Sequence, residues 1–263
     1  MKKGFTLVEL SIVLVIIGLV IGGVLVGQSL ISSSKISAQV QQITQFDAGT
    51  MAFKSKYKYM PGDAPAFGGN GDGLLGRFTG GITYVDGFSG DVGNFWNNLR
   101  PDLYASCTGV CLTAGQQIYT SGSLRNAPLS KIGKNGSYIM TSAYYSGIGS
   151  NANTTNPRNF YSIIDPSQGQ ANVGGRYGAI VTTSENSPVS PIESLALDQK
   201  LDDGIANAGN VMAGTRVACG GAGLSCVSTS ALATCATATT YVISDNYECT
   251  PLIRMGGSAG NPL

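Results

Sequence analysis

The sequence predicts an α+β protein, in which one long N-terminal α-helix packs on a globular head built around an antiparallel β-sheet. An apolar run from Phe5 to Val26 is long enough to cross a bilayer as a helix. Beyond it, apolar residues at a three-to-four spacing continue the helix towards the stop signal Pro61-Gly62. Short runs rich in aromatic and β-branched residues, separated by turn residues, then indicate the strands.

The apolar run has the features of a membrane anchor. Lys2 and Lys3 precede it, and basic residues on this side place the N-terminal end in the cytoplasm. The run is too long for the core of an ordinary secretory signal, and no A-x-A cleavage site closes it. A plain N-terminal membrane anchor is therefore the simplest interpretation.

Glu9 argues against this simple interpretation. It is the only charge within the apolar run, and an unpaired carboxylate inside a bilayer costs about 2.5–3.5 kcal/mol. If the chain were cut after Gly4, the amine of Phe5 would lie four residues before Glu9, on the same helix face. Glu9 could then pair with its own terminus, or with the terminus of a neighbouring molecule and so fix the register between subunits.

The chain thus opens with a basic leader, Lys2–Gly4, then an aromatic residue and a glutamate within Phe5–Leu10, then the uninterrupted apolar run. Over residues 1 to about 30, this opening resembles the type IV prepilin and type II secretion pseudopilin family. The resemblance implies that a prepilin peptidase cuts between Gly4 and Phe5 and that Phe5 is N-methylated. It also implies that Glu9 pairs with a neighbour's terminus during assembly.

The same resemblance implies a pilin-like division of the chain. Residues 1–4 are the leader, residues 5–56 are the long helix with its transmembrane half at about residues 5–30, and residues 57–263 are one globular head. The precursor is expected in the bacterial inner membrane with its head in the periplasm. Assembly would then give an extracellular pilus, with a periplasmic pseudopilus or a minor tip or adhesin subunit as the alternatives.

The resemblance also implies the partners of the chain. They are other pilins in a homopolymer or mixed filament, the prepilin peptidase and methyltransferase, and an inner-membrane assembly platform with its ATPase. The chain has no Walker loop of its own, so the energy for assembly is expected from that ATPase. Nucleic acid is not indicated as a partner.

The second half of the helix is predicted to pack on the head. Its packing face is predicted to hold Ile36, Val40, Ile43 and Thr50, which follow the three-to-four spacing. Its polar, solvent-facing side is predicted to hold Ser33, Ser34, Gln39, Gln41 and Gln42. From Phe5 to about Lys56, such a helix would be about 78 Å long.

The first part of the head has weak signals. Residues 61–110 are rich in glycine and asparagine, and Asp91 is predicted to cap a short helix that places Phe95, Trp96 and Leu99 on the core. Aromatic and β-branched runs then predict five strands, at Gln117–Thr120, Ser137–Thr141, Asn159–Ile164, Arg176–Thr182 and Tyr241–Ser244.

A second helix has a clear start signal. Ser190–Glu193 has the pattern of a capping box, with Pro191 in the first turn. We expect the helix to run to about Leu201 and to end at Gly204.

The six cysteines indicate the compartment. They are Cys107, Cys111, Cys219, Cys226, Cys235 and Cys249. Their spacing does not suit zinc, whereas disulfides fit an oxidising, extracytoplasmic setting. Sequence separation favours Cys107–Cys111, Cys219–Cys226 and Cys235–Cys249, and a crossed arrangement of the last four is the alternative. The paired cysteines near the C-terminus resemble those of type IV pilins, where a disulfide closes the last loop.

Two groups of oxygen ligands are candidates for binding calcium as a cofactor: Asn70 and Asp72 with Asp63, and Asp198, Asp202 and Asp203. The second group lies at a helix C-terminus, where a cation would relieve the unfavourable interaction of carboxylates with the helix dipole. Its sequence also resembles a segment of larger prepilin-like proteins, and major pseudopilins of type II secretion bind calcium in the head. The alternative for both groups is turn chemistry, in which the side chains accept hydrogen bonds from nearby backbone N–H groups.

Composition restricts the remaining functions. The 263 residues include 16 Lys and Arg against 15 Asp and Glu, which excludes a long basic stripe for nucleic acid as the main feature. The chain has no histidine, so histidine-based acid–base catalysis and His-ligated zinc are excluded, and we do not expect an enzyme. An adhesin-like or DNA-binding surface would need an exposed patch, for which Tyr144-Tyr145 and Arg158–Tyr161 are candidates, although buried strand residues explain them more simply. A monomeric anchored protein that never assembles is the third class.

Overall fold

The computed structural model describes residues 6–75, 77–79, 82–84, 95–96, 98–99, 119–120, 123–124, 128–134, 137–144, 158–164, 188–219, 224–228, 235–237, 239–247 and 249–256. Its helices are α1 (Leu7–Tyr57) and α2 (Pro191–Leu201), with a short 3-10 turn at Pro65–Phe67. Its strands are β1 (Arg77–Thr79), β2 (Ile82–Tyr84), β3 (Tyr119–Thr120), β4 (Ser123–Leu124), β5 (Tyr138–Tyr144), β6 (Arg158–Ile164), β7 (Val211–Met212), β8 (Thr215–Cys219), β9 (Leu224–Ser228), β10 (Ala236–Thr237), β11 (Thr240–Tyr241) and β12 (Leu252–Arg254). This layout confirms the predicted α+β class.

Helix α1 is continuous over 51 residues, about 76 Å at 1.5 Å per residue. It begins at a capping box in which Thr6 and Glu9 satisfy each other's backbone N–H groups. It ends at Lys58, which has a left-handed backbone (φ 68°) and donates its N–H to the carbonyl of Lys54. Pro61 then prevents the helix from continuing.

The two halves of α1 have different surroundings. The apolar side chains from Leu7 to Ile31 are exposed, and Ile36 is the first buried residue. The buried stripe then continues through Ile43, Phe46 and Thr50 to Phe53, with Val40 half-buried beside it. The packing face predicted from the spacing is therefore confirmed.

Gln39 corrects one part of that prediction. It was expected on the polar, solvent-facing side, but its side chain is fully buried. Its Oε1 accepts hydrogen bonds from Ser130 Oγ at 2.9 Å and from the Lys131 backbone N–H at 2.7 Å. Gln42 Nε2 also donates to the Leu129 carbonyl, at 2.9 Å. These glutamines bind the segment 128–134 to α1, a contact across about ninety residues that periodicity does not reveal.

The central sheet has the antiparallel order β5-β6-β12-β7. Side chains alternate between its faces, as in any strand. Ile139, Tyr161, Ile163 and Ile253 belong to the main core, whereas Phe160 and Leu252 form a second small cluster with Met212. The strands predicted at Ser137–Thr141 and Asn159–Ile164 are confirmed as β5 and β6, although β5 begins one residue later and ends three residues later than predicted.

The core of the head lies between α1 and the sheet. Phe46 of α1 contacts Trp96, with ring centroids 4.9 Å apart, and Tyr161 of β6, with centroids 5.9 Å apart. Phe95, Trp96 and Leu99 are all buried, as predicted, and both described pairs 95–96 and 98–99 are helical. Asp91, predicted as the cap of that helix, lies outside the described residues.

The three remaining strand predictions have different outcomes. The strand predicted at Tyr241–Ser244 is wrong beyond Tyr241. Strand β11 pairs with β10 over only two residues, and the chain after Tyr241 is no longer part of a strand. Arg176–Thr182 lies outside the described residues, as does the first half of Gln117–Thr120, whose second half forms β3.

Helix α2 begins as predicted. Ser190 Oγ accepts the Glu193 N–H at 3.3 Å, and the Glu193 carboxylate accepts the Ser190 N–H at 3.2 Å. The helix ends at Leu201, and Gly204 follows with φ 75°, a left-handed conformation that suits glycine.

One disulfide joins Cys235 to Cys249, with their Cα atoms 5.1 Å apart. This is the pairing that sequence separation favoured, and it excludes the crossed arrangements of these two cysteines with Cys219 and Cys226. Both cysteines are fully buried, and Cys249 also pairs with Val189 in an isolated antiparallel bridge. Cys107 and Cys111 lie outside the described residues.

Candidate functional site

The candidate site begins at the N-terminal end of α1. The Glu9 Oε2 atom accepts hydrogen bonds from the backbone N–H and the Oγ1 of Thr6, both at 2.8 Å, and Thr6 Oγ1 accepts the Glu9 N–H at 3.2 Å. Gly4 and Phe5, the predicted cleavage and methylation residues, lie outside the described residues. The pairing of Glu9 with a terminus therefore stays a prediction.

This capping box leaves the second carboxylate oxygen of Glu9 available. Oε1 has no hydrogen-bond partner among the described residues, and the side chain is exposed on the helix surface. A carboxylate held by Thr6 through one oxygen can still accept an ammonium group through the other. The role of Thr6 was not predicted, although the T-x-x-E pattern at residues 6–9 is a capping-box signal.

Beyond Glu9, α1 presents an apolar surface that is exposed in the described part of the chain. The helix is long and apolar enough to cross a membrane, judged by length and composition. A Cβ atom added at Gly18, Gly22, Gly23 or Gly27 would have no neighbour within 4 Å. Another helix could therefore approach closely at the two G-x-x-x-G spacings, as small residues allow in membrane helices.

The second calcium candidate is brought together by the fold. Carboxylate oxygens of Asp198, Asp202 and Asp203 lie within 4.8 Å of one another. Asp198 is fully buried, and its carboxylate accepts the Tyr241 hydroxyl at 2.9 Å and the Gly204 N–H at 3.1 Å. The buried partner Tyr241, which sequence reasoning did not connect to this cluster, comes from β11, more than forty residues away.

Burial dominates the electrostatics of Asp198. Removal from water raises the pKa of its carboxyl to about 6, against the lowering effects of the hydrogen bonds from Tyr241 and Gly204. Burial also raises the pKa of Tyr241, with the nearby Asp198 charge as the second cause. Three carboxylates are the ligand type that a hard cation prefers.

Each of these carboxylates nevertheless has a partner within the protein. Asp202 accepts the backbone N–H groups of Asn210 and Val211, and Asp203 accepts the Ile205 N–H at 2.8 Å. These bonds are the turn chemistry expected as the alternative, and calcium here stays a prediction.

The first calcium candidate forms a loop that its own side chains organise. The buried Asp63 accepts the Gly71 N–H at 2.8 Å and the Gly73 N–H at 2.9 Å. Burial raises the pKa of Asp63, although these two hydrogen bonds oppose the effect. Asn70 and Asp72 bond to each other and accept backbone N–H groups within the loop. These bonds are turn chemistry, and calcium in this loop also stays a prediction.

The surface patch considered for adhesion is partly buried. Phe160 and Tyr161 are 2% and 0% exposed, so they are strand residues of the core rather than a binding surface. Tyr145 lies outside the described residues.

Comparison with known families bears on the N-terminal segment. The family described as the prokaryotic N-terminal methylation motif matches residues 1–25. The chain carries the type IV prepilin/pseudopilin signal. This signal covers the predicted leader, Glu9 and most of the apolar half of α1. Comparisons with curated proteins and with solved structures find no match to the chain.

The prepilin signal ends within the exposed half of α1. The matched residues 1–25 end within the exposed half of the helix, before the first buried residue, Ile36. The motif implies processing by a prepilin peptidase, and the exposed apolar helix suggests membrane anchoring. Proteins with this signal are structural, pilin-type proteins.

Proposed function

We propose that this chain is a structural subunit of a type IV pilus or a related filament. Prepilin peptidase removes residues 1–4 and methylates Phe5, and the mature chain waits in the inner membrane until it polymerises through α1. The observation that carries the proposal is one continuous helix whose first half bears the prepilin signal and an exposed apolar surface, while its second half packs on a head.

The chemistry of Glu9 supports polymerisation over a plain anchor. A carboxylate in the apolar segment costs free energy unless it is paired, and its Oε1 has no partner among the described residues. Cleavage after Gly4 creates the positive amine that would pair with it. A neighbouring subunit, displaced along the helix, supplies that amine to Glu9 and buries the apolar surface of both helices.

A pilus is favoured over a secretion pseudopilus by the disulfide near the C-terminus. Cys235–Cys249 closes the loop that contains β10 and β11 and holds it against Val189, which resembles the closed last loop of type IV pilins. The acidic cluster at the end of α2 is the feature that would favour a pseudopilin. The partners proposed for both filaments are prepilin peptidase, an inner-membrane assembly platform and its ATPase.

The test is intact-mass and N-terminal peptide analysis of the protein from its native envelope, before and after cells are sheared. A chain that begins at N-methyl-Phe5 in the sheared fraction is the expected result. An uncut chain in the membrane fraction would contradict the proposal and leave a plain anchored protein. A cut chain that never shears off would instead support a periplasmic pseudopilus.

A further inference from the structure

The base of the head lies close to the end of the apolar segment of α1. We define the base as residues 35–39 of α1 with the segments that contact them, 130–131 and 200. Ile31 is the last large exposed apolar residue of the first half, and Ile36 is the first buried one. Five residues of helix separate them by about 7.5 Å, which is the thickness of one headgroup layer.

Three lysines lie beside α1 at this level, and we call them the lysine collar. Lys35 is exposed next to Ile36. The exposed Lys131 is fixed through its backbone N–H, which donates to Gln39 Oε1 at 2.7 Å. The exposed Lys200 reaches α1 directly, because its Nζ donates to Ser37 Oγ at 2.6 Å.

The collar residues lie on both sides of the helix. Gln39 is four residues after Lys35, so Lys131 and Lys35 share one side of α1. Ser37, which binds Lys200, is about 200° around the axis from Lys35. Lys35 and Lys200 therefore lie on opposite sides of α1, and Lys131 lies closer to the side of Lys35.

The nearby acidic groups are engaged elsewhere. Asp202 and Asp203, which follow Lys200, accept backbone N–H groups from residues 205–211. Asp198 is buried against Tyr241. Within the described part of the chain, neither Lys35 nor Lys131 forms an ion pair. No described carboxylate is therefore in direct contact with Lys35 or Lys131, and the partner of Lys200 is the neutral hydroxyl of Ser37.

We propose that the lysine collar contacts anionic lipid headgroups while the chain is anchored in a bilayer, and so seats the head on the membrane surface. The inference rests on the membrane anchoring in the proposed function. The partner is the lipid surface because the apolar half of the same helix delivers the collar to headgroup depth. From that position, the side chain of a lysine can extend towards the bilayer by about the depth of one headgroup. The attraction of its charge to anionic lipids acts within a Debye length.

The test is acylation of the full-length chain in nanodiscs with an uncharged amine-reactive reagent, quantified by mass spectrometry. One set of discs is phosphatidylcholine alone and the other contains phosphatidylglycerol, and neither lipid has a primary amine. We expect each collar lysine to react at least roughly fivefold more slowly in the anionic discs, the effect of one lysine at a charged surface. Added salt of about 0.5 M should remove the difference.

The last turn of α1 provides the matched control. Lys54 and Lys56 lie at least 17 residues beyond Ser37 along α1, about 26 Å further from the membrane. Their acylation rates should be equal in both discs. The variant K131Q/K200Q should weaken the protection of Lys35 because two of the three collar charges are gone, whereas K54Q/K56Q should leave it unchanged.

The possible outcomes distinguish the lipid contact from the membrane anchoring on which it rests. A chain that inserts into both discs but shows equal acylation of the collar overturns the lipid contact alone. Equal slowing of Lys54 and Lys56 would also overturn it, since the effect would then not be local to the base. A chain that inserts into neither disc overturns the anchoring and the proposed function with it.

Discussion

Lys58 ends α1 in a backbone conformation that is unfavourable for a lysine. Its φ of 68° is left-handed, and Lys58 is the one non-glycine residue with positive φ among the described residues. A side chain in this region costs about 1–2 kcal/mol, whereas glycine adopts it freely. The cap is held by the N–H of Lys58, which bonds to the Lys54 carbonyl, and glycine can make the same bond.

Replacement of Lys58 by glycine should therefore stabilise the head, by about 1 kcal/mol. The measurement is the unfolding midpoint in denaturant, with the protein in detergent. Lys56→Gly, two residues earlier in the helix, is the matched control and should destabilise by about 0.5–1 kcal/mol. An equal loss in both variants would show that Lys58 contributes contacts that outweigh its backbone conformation.

Asp198 should make the stability of the head depend on pH. Burial raises its pKa from 3.8 to about 6, so the folded state favours the protonated acid. The unfolded chain binds fewer protons in this range, and the free energy of unfolding should fall as pH rises from about 4 to about 6. In Asp198→Asn this contribution should disappear, and the variant should be more stable than the parent at neutral pH.

Thermal unfolding of both proteins in calcium-free buffer between pH 4 and pH 7 tests this expectation. The difference between the two midpoints is the informative quantity, because other carboxylates titrate in both proteins. A constant difference across the range would mean that folding does not shift the pKa of Asp198. Repetition with added calcium would show whether the ion binds to the cluster, since binding to the folded state stabilises it.

At the scale of elements, the contact between α1 and the segment 128–134 depends on Gln39. Replacement of Gln39 by alanine leaves the Lys131 N–H and the Ser130 hydroxyl without their acceptor, and an unsatisfied buried group costs about 1–3 kcal/mol. We expect a loss of that size in the free energy of unfolding. Gln41, on the same predicted polar face but exposed, is the matched control, and Gln41→Ala should change stability by less than about 0.5 kcal/mol. Equal effects of the two variants would contradict the role given to Gln39.

The same pair of residues illustrates how far sequence reasoning extends. Periodicity and capping are local patterns, so the sequence was enough to predict α1, its buried stripe and the Ser190–Glu193 start of α2. It could not predict that Gln39 is buried, because the donors arrive from a segment about ninety residues away. The strand expected at Tyr241–Ser244 was too long for a similar reason, since the extent of a ladder is set by its partner strand.

The residues of the candidate site likewise differ in whether a local sequence pattern could predict them. The leader, Phe5 and Glu9 were recognisable because their spacing is fixed along one short stretch. The approach of Asp198, Asp202 and Asp203 also follows from spacing on one helix end. Tyr241, which donates to Asp198, was missed because only the β10–β11 hairpin and the disulfide place it there.

At the scale of the whole molecule, the apolar half of α1 has to be covered by lipid or by other subunits, and Glu9 distinguishes the two. In lipid, Glu9→Ala should make insertion more favourable, because the cost of about 2.5–3.5 kcal/mol for a carboxylate is removed. In a filament, the same change removes the partner of a neighbour's terminal amine. We therefore expect full membrane insertion, normal cleavage after Gly4 and a loss of sheared filament of at least tenfold, which corresponds to about 1.4 kcal/mol per contact.

Two further variants distinguish the pairing of Glu9 between subunits from its role in the helix cap. Glu9→Gln keeps an oxygen that can accept from Thr6 but removes the negative charge, and it should lose filaments like Glu9→Ala if the charge pairs between subunits. Ser11→Ala changes a polar side chain whose partner, among the described residues, is the Val8 carbonyl of its own helix, so filament yield should be unaffected. Wild-type amounts of filament from Glu9→Gln would assign Glu9 to the cap, and the pairing between subunits would then have to be abandoned.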